Sequence, residues 1–254
     1  MNERLGLLKQ RHAVRSYTSE PLPKDAVNKL RAEISMTNSH ESGLRFQLVF
    51  DDPEPLAGWS RGYGVFSNPR NFMVAVVDKA AADVWERAGY FAERFAIKAV
   101  SLGLGTCFVS GTFDRDKIPA QLRAGETIAF IVLFGCPAEK TRPVGKLMAK
   151  IAHIKSMKAE DFFEPRSQLA EAGASHHDLR DGLEAVACAP SAMNRRPVRL
   201  YTDERNQVRA KVDGDKRDLL IDLGIAKFNY NYATETECEW GNGAPLEIQD
   251  DIFP

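Results

Sequence analysis

The distribution of apolar and polar positions in the first half of the chain predicts alternating helices and strands. Apolar residues recur at helical spacing over residues 23–38, where Pro23 can open a helix. Residues 45–50 alternate between polar and apolar and predict a strand, and the continuous apolar runs 72–77 and 128–134 predict two buried central strands. This order of elements is typical of a mixed helix and sheet fold.

A long helix is predicted over residues 80–102, between the two central strands. Apolar side chains lie on nearly every face of this segment, which is what a helix packed on several sides requires. Glycines directly after it end the helix, and residues 106–109 predict a further strand. The segment 140–166 is rich in Lys, Arg and Pro and predicts a basic linker with a short helix over 159–163.

The second half of the chain repeats this plan. Ser175 followed three residues later by Asp178 resembles a capping box, which opens a helix that must end before Pro190. The later segments predict, in chain order, strands over 198–201 and 206–212, a helix over 219–233 and a short strand over 237–240.

The order of elements over residues 24–110 recurs over residues 175–241, which indicates a diverged duplication. We therefore predict one domain over residues 1–254, made of two pseudo-symmetric half-repeats at about 1–138 and 156–254 that the basic linker joins. Residue identity between the halves is weak and any α+β chain can offer such a coincidence, so an unduplicated α+β domain is the alternative.

The composition excludes several classes of function. Of the 254 residues, 44% are hydrophobic and 27% charged, which suits one sizeable core. The 34 Lys and Arg residues nearly balance the 35 Asp and Glu residues, so no positive field exists to bind nucleic acid or an anionic membrane. The apolar runs are too short to cross a bilayer, and we expect a cytoplasmic protein. Four scattered cysteines predict buried thiols and no metal site.

Candidate chemistry begins with the segment Arg11-His12-Ala13-Val14-Arg15-Ser16-Tyr17, which follows an N-terminal amphipathic helix. At positions i and i+4 of a helical or turn segment, Arg11 and Arg15 can point the same way. Each guanidinium carries five donors and suits a phosphate group, which accepts several charge-assisted hydrogen bonds. We therefore predict an anion site at this segment, with a solvated basic face as the alternative.

A second candidate is the segment Ala189-Pro190-Ser191-Ala192-Met193-Asn194-Arg195-Arg196-Pro197, between a predicted helix and a predicted strand. Its small side chains allow the backbone to approach a ring, and the Asn194 amide can both donate and accept hydrogen bonds at a ring edge. The segment therefore suits a planar heterocycle. A helix stop followed by a tight turn is the alternative, because Pro and Asn favour that as well.

The first segment is similar to the R-R-S-x-R-x-F motif of the nitroreductase family of flavin enzymes, and the second to its A-P-S-x-x-N-x-Q-P motif. Three further stretches agree with that family, at residues 103–107, 135–140 and 222–226. The order and spacing of these motifs cover nearly the whole chain. Within the family, the chain resembles the single-chain branch in which two fused half-folds mimic the usual dimer.

The resemblance implies a three-layer α+β sandwich that binds one FMN. Arg11 and Arg15, with His12 beside them, would bind the phosphate, and Lys155 matches the basic residue that completes the phosphate site. The second segment would lie near the ribityl chain and isoalloxazine, through Pro190, Ser191, Ala192, Asn194 and Arg196. One flavin site is expected instead of two, because the second half lacks an arginine motif and the first half lacks the P-S-x-x-N sequence.

Two positions depart from the family motifs. Ala13 stands where the family has a serine, which removes a hydroxyl from the phosphate site, and Arg196 replaces a neutral glutamine. The loss of one neutral hydrogen bond costs roughly 0.5–1.5 kcal/mol, so the first change weakens FMN binding. A cation near the ring favours the anionic reduced flavin and raises its reduction potential.

The implied activity is that of an FMN-dependent oxidoreductase, in which NAD(P)H reduces the flavin and small electron-poor acceptors such as nitroaromatics or quinones take the electrons. Such a site needs no obligatory acid or base, so we predict binding residues and no catalytic residue. A protein of the same fold that binds a flavin or another ligand without turnover is the alternative. We expect a monomer, because a fused pseudo-dimer already contains the interface that separate subunits share. The loop 51–68, with Trp59, Tyr63 and Phe66, is a predicted lid.

Overall fold

The computed structural model describes residues 2–57, 66–139 and 157–248 of the chain. Contacts between residues divide the chain into two units. The N-terminal unit comprises Gln10–Val84 and Phe91–Lys155; the C-terminal unit comprises Met1–Lys9, Trp85–Tyr90 and Ser156–Pro254. The long helix Val84–Ser101 therefore contributes its first turns to the C-terminal unit and the rest to the N-terminal unit.

Four antiparallel strands form the sheet of the N-terminal unit, in the order β1-β2-β4-β3. They are β1 (Leu44–Val49), β2 (Phe72–Asp78), β3 (Gly105–Val109) and β4 (Glu126–Gly135). The two continuous apolar runs form β2 and β4, as predicted, because central strands are covered on both faces. Their register pairs Phe72 with Leu133 and Val74 with Ile131.

Six α-helices lie in the described residues: α1 (Glu3–Gln10), α2 (Lys24–His40), α3 (Val84–Ser101), α4 (Leu169–Ser175), α5 (Leu179–Cys188) and α6 (Arg217–Thr234). Helix α2 begins directly after Pro23, as predicted. The Asn38 side chain accepts a hydrogen bond from the Phe46 N–H (2.7 Å) and donates one to the Phe46 carbonyl (2.9 Å), which ties α2 to β1. None of these helices combines the length and the apolarity that a bilayer crossing requires.

The C-terminal unit contains a two-stranded antiparallel sheet of β5 (Arg199–Thr202) and β6 (Val208–Lys211), in which Leu200 pairs with Ala210. Helices α5 and α6 pack closely, because a Cβ at Gly182 would overlap the ring of Tyr230. The core of the unit contains these and other buried residues, among them Phe162, Leu179, Leu183, Val198, Leu200, Val208, Leu223, Tyr230 and Leu246.

The first turns of α3 cross α6 with backbone against backbone. A Cβ at Gly224 would overlap the carbonyl oxygen of Glu86 and would lie 2.8 Å from the Tyr90 nitrogen, and a Cβ at Gly89 would overlap the Ile221 carbonyl oxygen. Glycine is therefore required at both crossing positions. The predicted motif at 222–226 contributes one of the two glycines, so part of its role is packing.

Several sequence predictions differ from the structure. Helix α3 begins at Val84, four residues later than predicted, because Asp83 has a left-handed backbone conformation. The predicted capping box is wrong: Ser175 ends α4 and donates to the Glu171 carbonyl (3.3 Å), while Asp178 makes no side-chain cap.

The predicted strand over 237–240 is also wrong, although residues 237–248 carry some sheet-like hydrogen bonds. The carbonyl oxygens of Glu239 and Gly241 accept hydrogen bonds from the Lys227 ammonium, each at 2.9 Å. The second half therefore lacks the last strand of the repeated order that the sequence suggested. Of the four free cysteines, Cys107 and Cys238 are buried as predicted and the other two are partly exposed.

Candidate functional site

The predicted phosphate-binding segment, Arg11 to Tyr17, is extended rather than helical, and we call it the arginine segment. Helix α1 ends before it, and the Val14 N–H donates to the Thr106 carbonyl of β3 (2.9 Å). The predicted helical or turn conformation is therefore wrong. In an extended chain, positions i and i+4 still point to the same side, but they lie roughly 13 Å apart, whereas one helical turn would separate them by about 6 Å. Arg11 and Arg15 can share a face without being adjacent.

Arg11 forms a buried ion pair with Glu93 of helix α3. The Nε of Arg11 lies 3.3 Å from Oε1 of Glu93, and the two side chains are 8% and 0% exposed. Among the described residues, neither Nε nor either carboxylate oxygen has a hydrogen-bond partner. Burial raises the pKa of Glu93 from 4.5 to about 7, against the opposing effect of the Arg11 charge.

Buried hydroxyl groups accompany the arginines. Ser16 Oγ and Thr106 Oγ1 are buried and have no hydrogen-bond partner within residues 2–57, 66–139 and 157–248. Thr106 is the bridge partner of Ala13, the position where the family motif has serine, so a buried hydroxyl is retained next to the lost one. Burial raises the pKa of the neighbouring Cys107 thiol, although Arg15 and Arg11 both favour its thiolate.

The other residues predicted for the phosphate site are less informative. His12 is exposed, and its Nδ1 lies 3.0 Å from the Gln10 carbonyl oxygen. Lys155 lies outside the described residues, as do Trp59 and Tyr63 of the predicted lid. Phe66, the third lid residue, packs against the core of the N-terminal unit.

The segment predicted to contact the flavin ring forms a strained turn, which we call the Pro190–Arg196 loop. A short 3-10 helix covers Ala192–Asn194, and Met193, Asn194 and Arg196 have φ values of 54°, 54° and 51°. Left-handed backbone is unfavourable for residues other than glycine, so the rest of the unit must hold this shape.

Polar groups of the loop bind one another. The Arg196 N–H donates to Ser191 Oγ (2.9 Å), and the Arg196 Nε–H donates to Asn194 Oδ1 (3.1 Å). The Arg196 side chain also donates to the Ala187 carbonyl of α5 (3.3 Å). Arg196, which replaces the glutamine of the family motif, therefore stabilises the turn through hydrogen bonds within the loop and to α5.

Asp222 of α6 holds the loop through a hydrogen bond to its backbone. Both of its carboxylate oxygens accept the Ala192 N–H, at 3.0 and 3.2 Å, and the side chain is almost completely buried. Burial raises the pKa of Asp222 from 3.8 to about 7. One turn earlier on α6, Asp218 forms an ion pair with Arg195. These roles were not predicted from the sequence, although two aspartates four residues apart on a mostly apolar helix were a visible signal.

The cavity beside the loop is small. It measures about 10 Å³, which is room for one water molecule, and Pro190, Arg196 and Asp222 are among its lining residues. A larger cavity of about 360 Å³ lies elsewhere in the C-terminal unit. Its lining includes Glu171, Asp203 and Glu204, whose charges repel a phosphate.

The donor groups at the arginine segment fit a phosphate ester. The segment supplies two guanidinium groups and the buried Ser16 hydroxyl, and β3 supplies the buried Thr106 hydroxyl opposite Ala13. Neither hydroxyl has a partner in the described part of the chain, and groups of these kinds bind phosphate. The Pro190–Arg196 loop fits a ring edge less well, because Ser191 Oγ and Asn194 Oδ1 already accept hydrogen bonds. The two segments belong to different units, so their binding of one FMN stays a prediction.

Comparison with solved structures shows the same fold in a nitroreductase. The crystal structure of a protein from Thermotoga maritima titled a putative nitroreductase has a TM-score of 0.56 and 17% identity, over 92% of this chain and 83% of that chain. An FMN-dependent nitroreductase from Clostridium difficile has a TM-score of 0.43 and 23% identity, over 54% of this chain and 90% of that chain. A structure titled a putative nitroreductase in complex with FMN, from Desulfovibrio desulfuricans, has a TM-score of 0.43 and 20% identity, over 58% of this chain and 95% of that chain.

At the sequence level, no curated protein matches the chain. A family description does match: the model of the family described as "Putative TM nitroreductase" aligns with residues 5–234. The matched range includes the arginine segment and the Pro190–Arg196 loop. The predicted mixed helix and sheet fold and the predicted family are therefore confirmed. The chain belongs to the nitroreductase family.

Proposed function

We propose that the protein is an FMN-dependent oxidoreductase that takes electrons from NAD(P)H and passes them to small electron-poor acceptors such as nitroaromatics or quinones. The observation that carries the proposal is the family match over residues 5–234. The buried donors of the arginine segment support it independently, because they suit the phosphate that FMN carries.

In this proposal the protein binds and orients the cofactor. Arg11, Arg15 and His12 hold the phosphate with Lys155, and the Pro190–Arg196 loop contacts the ribityl chain and the ring. FMN, when bound, supplies the redox chemistry by accepting a hydride and passing on two electrons. No side chain is given an acid or base role, and Asp222 contributes by holding the backbone of the loop in its strained shape.

Steady-state oxidation of NADH and NADPH tests the proposal. The purified protein, mixed with FMN, is expected to oxidise at least one of the two nucleotides when a quinone or nitroaromatic acceptor is present. The rate must exceed that of the same amount of free FMN. Absence of this excess rate with every acceptor class contradicts the enzymatic assignment.

The phosphate assignment has its own test. The double substitution Arg11→Ala/Arg15→Ala is expected to weaken FMN binding by about 100-fold or more, since each guanidinium contributes roughly 1.5–3 kcal/mol through charge-assisted hydrogen bonds. A fluorescence-quenching titration of FMN measures the change. Arg166→Ala/Arg180→Ala is the matched control, because those side chains are 61% and 88% exposed. Equal FMN affinity in both double variants would show that the arginine segment does not bind the FMN phosphate.

A second candidate function is ligand binding without turnover. The hydrogen bonds among Ser191, Asn194 and Arg196 favour it, because a flavin ring edge would have to compete for groups that are already bonded. Retention of FMN with no NAD(P)H oxidation is the result that this candidate predicts and that the enzymatic proposal does not.

A further inference from the structure

Glu93 is a buried carboxylate to which neither the family match nor the predicted site gives a role. It has no hydrogen-bond partner in the described part of the chain, and its one close opposite charge is Arg11, at 3.3 Å. A buried carboxylate without hydrogen bonds is unfavourable, because the protein does not replace the water that solvated it. The Arg11 guanidinium therefore carries most of the stabilisation of ionised Glu93.

Two other titratable side chains around the arginine segment, Cys107 and Tyr17, stay neutral at pH 7. Burial raises the pKa of Cys107 on β3, and it raises the pKa of Tyr17 well above its ordinary value. Arg15 acts electrostatically on both of these groups. Among the described residues, Arg11 is the charged group that shifts the pKa of Glu93, which burial raises to about 7. A change in the environment of Arg11 thus acts directly on the ionisation of Glu93.

A doubly charged anion at the arginine segment changes that environment. It attracts the guanidinium that stabilises the carboxylate, and it repels the carboxylate itself. Both effects favour protonated Glu93. By linkage, an anion that raises the pKa of a group on binding also binds more tightly when that group is protonated.

We propose that Glu93 is a proton-linked positioning residue for Arg11, and that a dianion bound at the arginine segment makes Glu93 take up a proton from solvent. The carboxylate holds the Nε edge of Arg11 in the free protein, and on anion binding it becomes a neutral carboxylic acid while the anion becomes the partner of the guanidinium. The inference rests on the phosphate role that the proposed function gives to Arg11, and it deepens that role by adding regulation by pH.

Sulfate is the probe, because it stays doubly charged from pH 6 to pH 8.5, whereas a phosphate ester titrates near pH 6. The measurements use the His12→Gln protein, which removes the histidine adjacent to Arg11. Sulfate affinity is expected to fall by about tenfold or more between pH 6 and pH 8.5. Calorimetry in two buffers of different ionisation enthalpy is expected to show uptake of up to one proton per sulfate near pH 8.

Glu93→Gln in the same protein is expected to abolish both the pH dependence and the proton uptake. Glu126→Gln is the matched control, because Glu126 pairs with Arg45 and its pKa is lowered, so it does not titrate in this range. A pH dependence that persists in Glu93→Gln overturns the proposal. Proton uptake of zero in the His12→Gln protein overturns it without reference to the second variant.

FMN retention by the wild-type protein, which keeps His12, separates this inference from the proposed function. Proton-linked sulfate binding that depends on Arg11, together with no FMN retention, would support the role of Glu93 and contradict the flavin proposal. FMN retention with pH-independent sulfate affinity would do the reverse. Absence of both kinds of binding would contradict both proposals.

Discussion

Two glutamates on helix α3, seven residues apart, are equally buried but differently bonded. Glu86 lies in the C-terminal unit, where its Oε1 is 2.6 Å from the Lys227 ammonium and its Oε2 accepts the Gly241 N–H (3.0 Å). The ammonium also donates to two backbone carbonyls, at 2.9 Å each. Glu93 lies in the N-terminal unit, where Arg11 is its ion-pair partner.

The difference teaches what each pair is for. A buried ion pair is stable only where hydrogen bonds replace lost water, and the Lys227 pair has them. It fixes residues 239–241 against two helices and is structural. The Arg11 pair lacks such bonds in the described residues. Two further buried hydroxyls without partners there are those of Ser16, in the arginine segment, and of Thr106, opposite Ala13 on β3. These polar groups can therefore bind a ligand.

Gly224→Ala is the strongest test of the structural side. The added Cβ would overlap the Glu86 carbonyl oxygen, which cannot move without separating α3 from α6. If the two helices separate, the ion pair between Lys227 and Glu86 is lost as well, and its cost adds to that of the steric overlap. We therefore expect urea unfolding to show a destabilisation of about 5 kcal/mol or more. Gly173→Ala is the control, because its Cβ would meet nothing within 4 Å, and we expect a small gain in stability. Equal stability of the two variants would rule out the close crossing.

Lys227→Met removes the charge but keeps much of the side-chain volume. We expect a loss of about 3–5 kcal/mol in the free energy of unfolding, since the Glu86 carboxylate is left buried without its partner. Lys227→Met/Glu86→Met is expected to recover a large part of this loss, because no uncompensated charge remains. Lys29→Met, at a half-exposed ion pair, should change stability by less than about 0.5 kcal/mol. A double variant as unstable as the single one would contradict the interpretation.

Glu93→Gln is expected to have a smaller effect that depends on pH. The pKa of Glu93 is raised from 4.5 to about 7, so the folded protein binds this proton more tightly than the unfolded chain does. The stability that this group contributes is therefore complete below pH 4.5 and is lost as the pH rises through 7. Relative to the wild type, the variant should gain up to about 3 kcal/mol between pH 4.5 and pH 8.

Urea unfolding at several pH values measures this gain. The pKa of Asp222 is also raised to about 7, so this residue lowers the stability of wild type and of Glu93→Gln alike as the pH rises. The quantity to compare is therefore the difference in the free energy of unfolding between the two proteins. Glu126→Gln should show no such gain over this range, because the pKa of Glu126 is lowered. A constant difference between wild type and Glu93→Gln from pH 5 to pH 8 would show that Glu93 is ionised throughout.

The sequence predicted the elements well where one physical effect dominates. The apolar runs 72–77 and 128–134 form β2 and β4. A strand that is buried on both faces is apolar at successive positions, so its sequence identifies it directly. The strand predicted at 237–240 failed, and within this stretch the Glu239 carbonyl oxygen accepts a hydrogen bond from a buried ammonium of another element. No local pattern contains that information.

The candidate site follows the same division. Sequence motifs located the arginine segment, the Pro190–Arg196 loop and the stretch that contains Asp222. They gave Asp222 no role at the loop and did not include Glu93, which contacts the arginine segment. A glutamate or aspartate on a covered face of a mostly apolar helix is buried and needs a partner. That signal was present in the sequence. The identity of the partner was not, because it depends on which elements meet.

The most direct test of the account is the visible absorbance spectrum of the wild-type protein, recorded as purified and again after mixing with FMN and desalting. We predict that both flavin absorbance bands remain with the protein after desalting, and that the Arg11→Ala/Arg15→Ala protein loses them. A wild-type protein that is colourless after this treatment would contradict the assignment of the arginine segment to FMN.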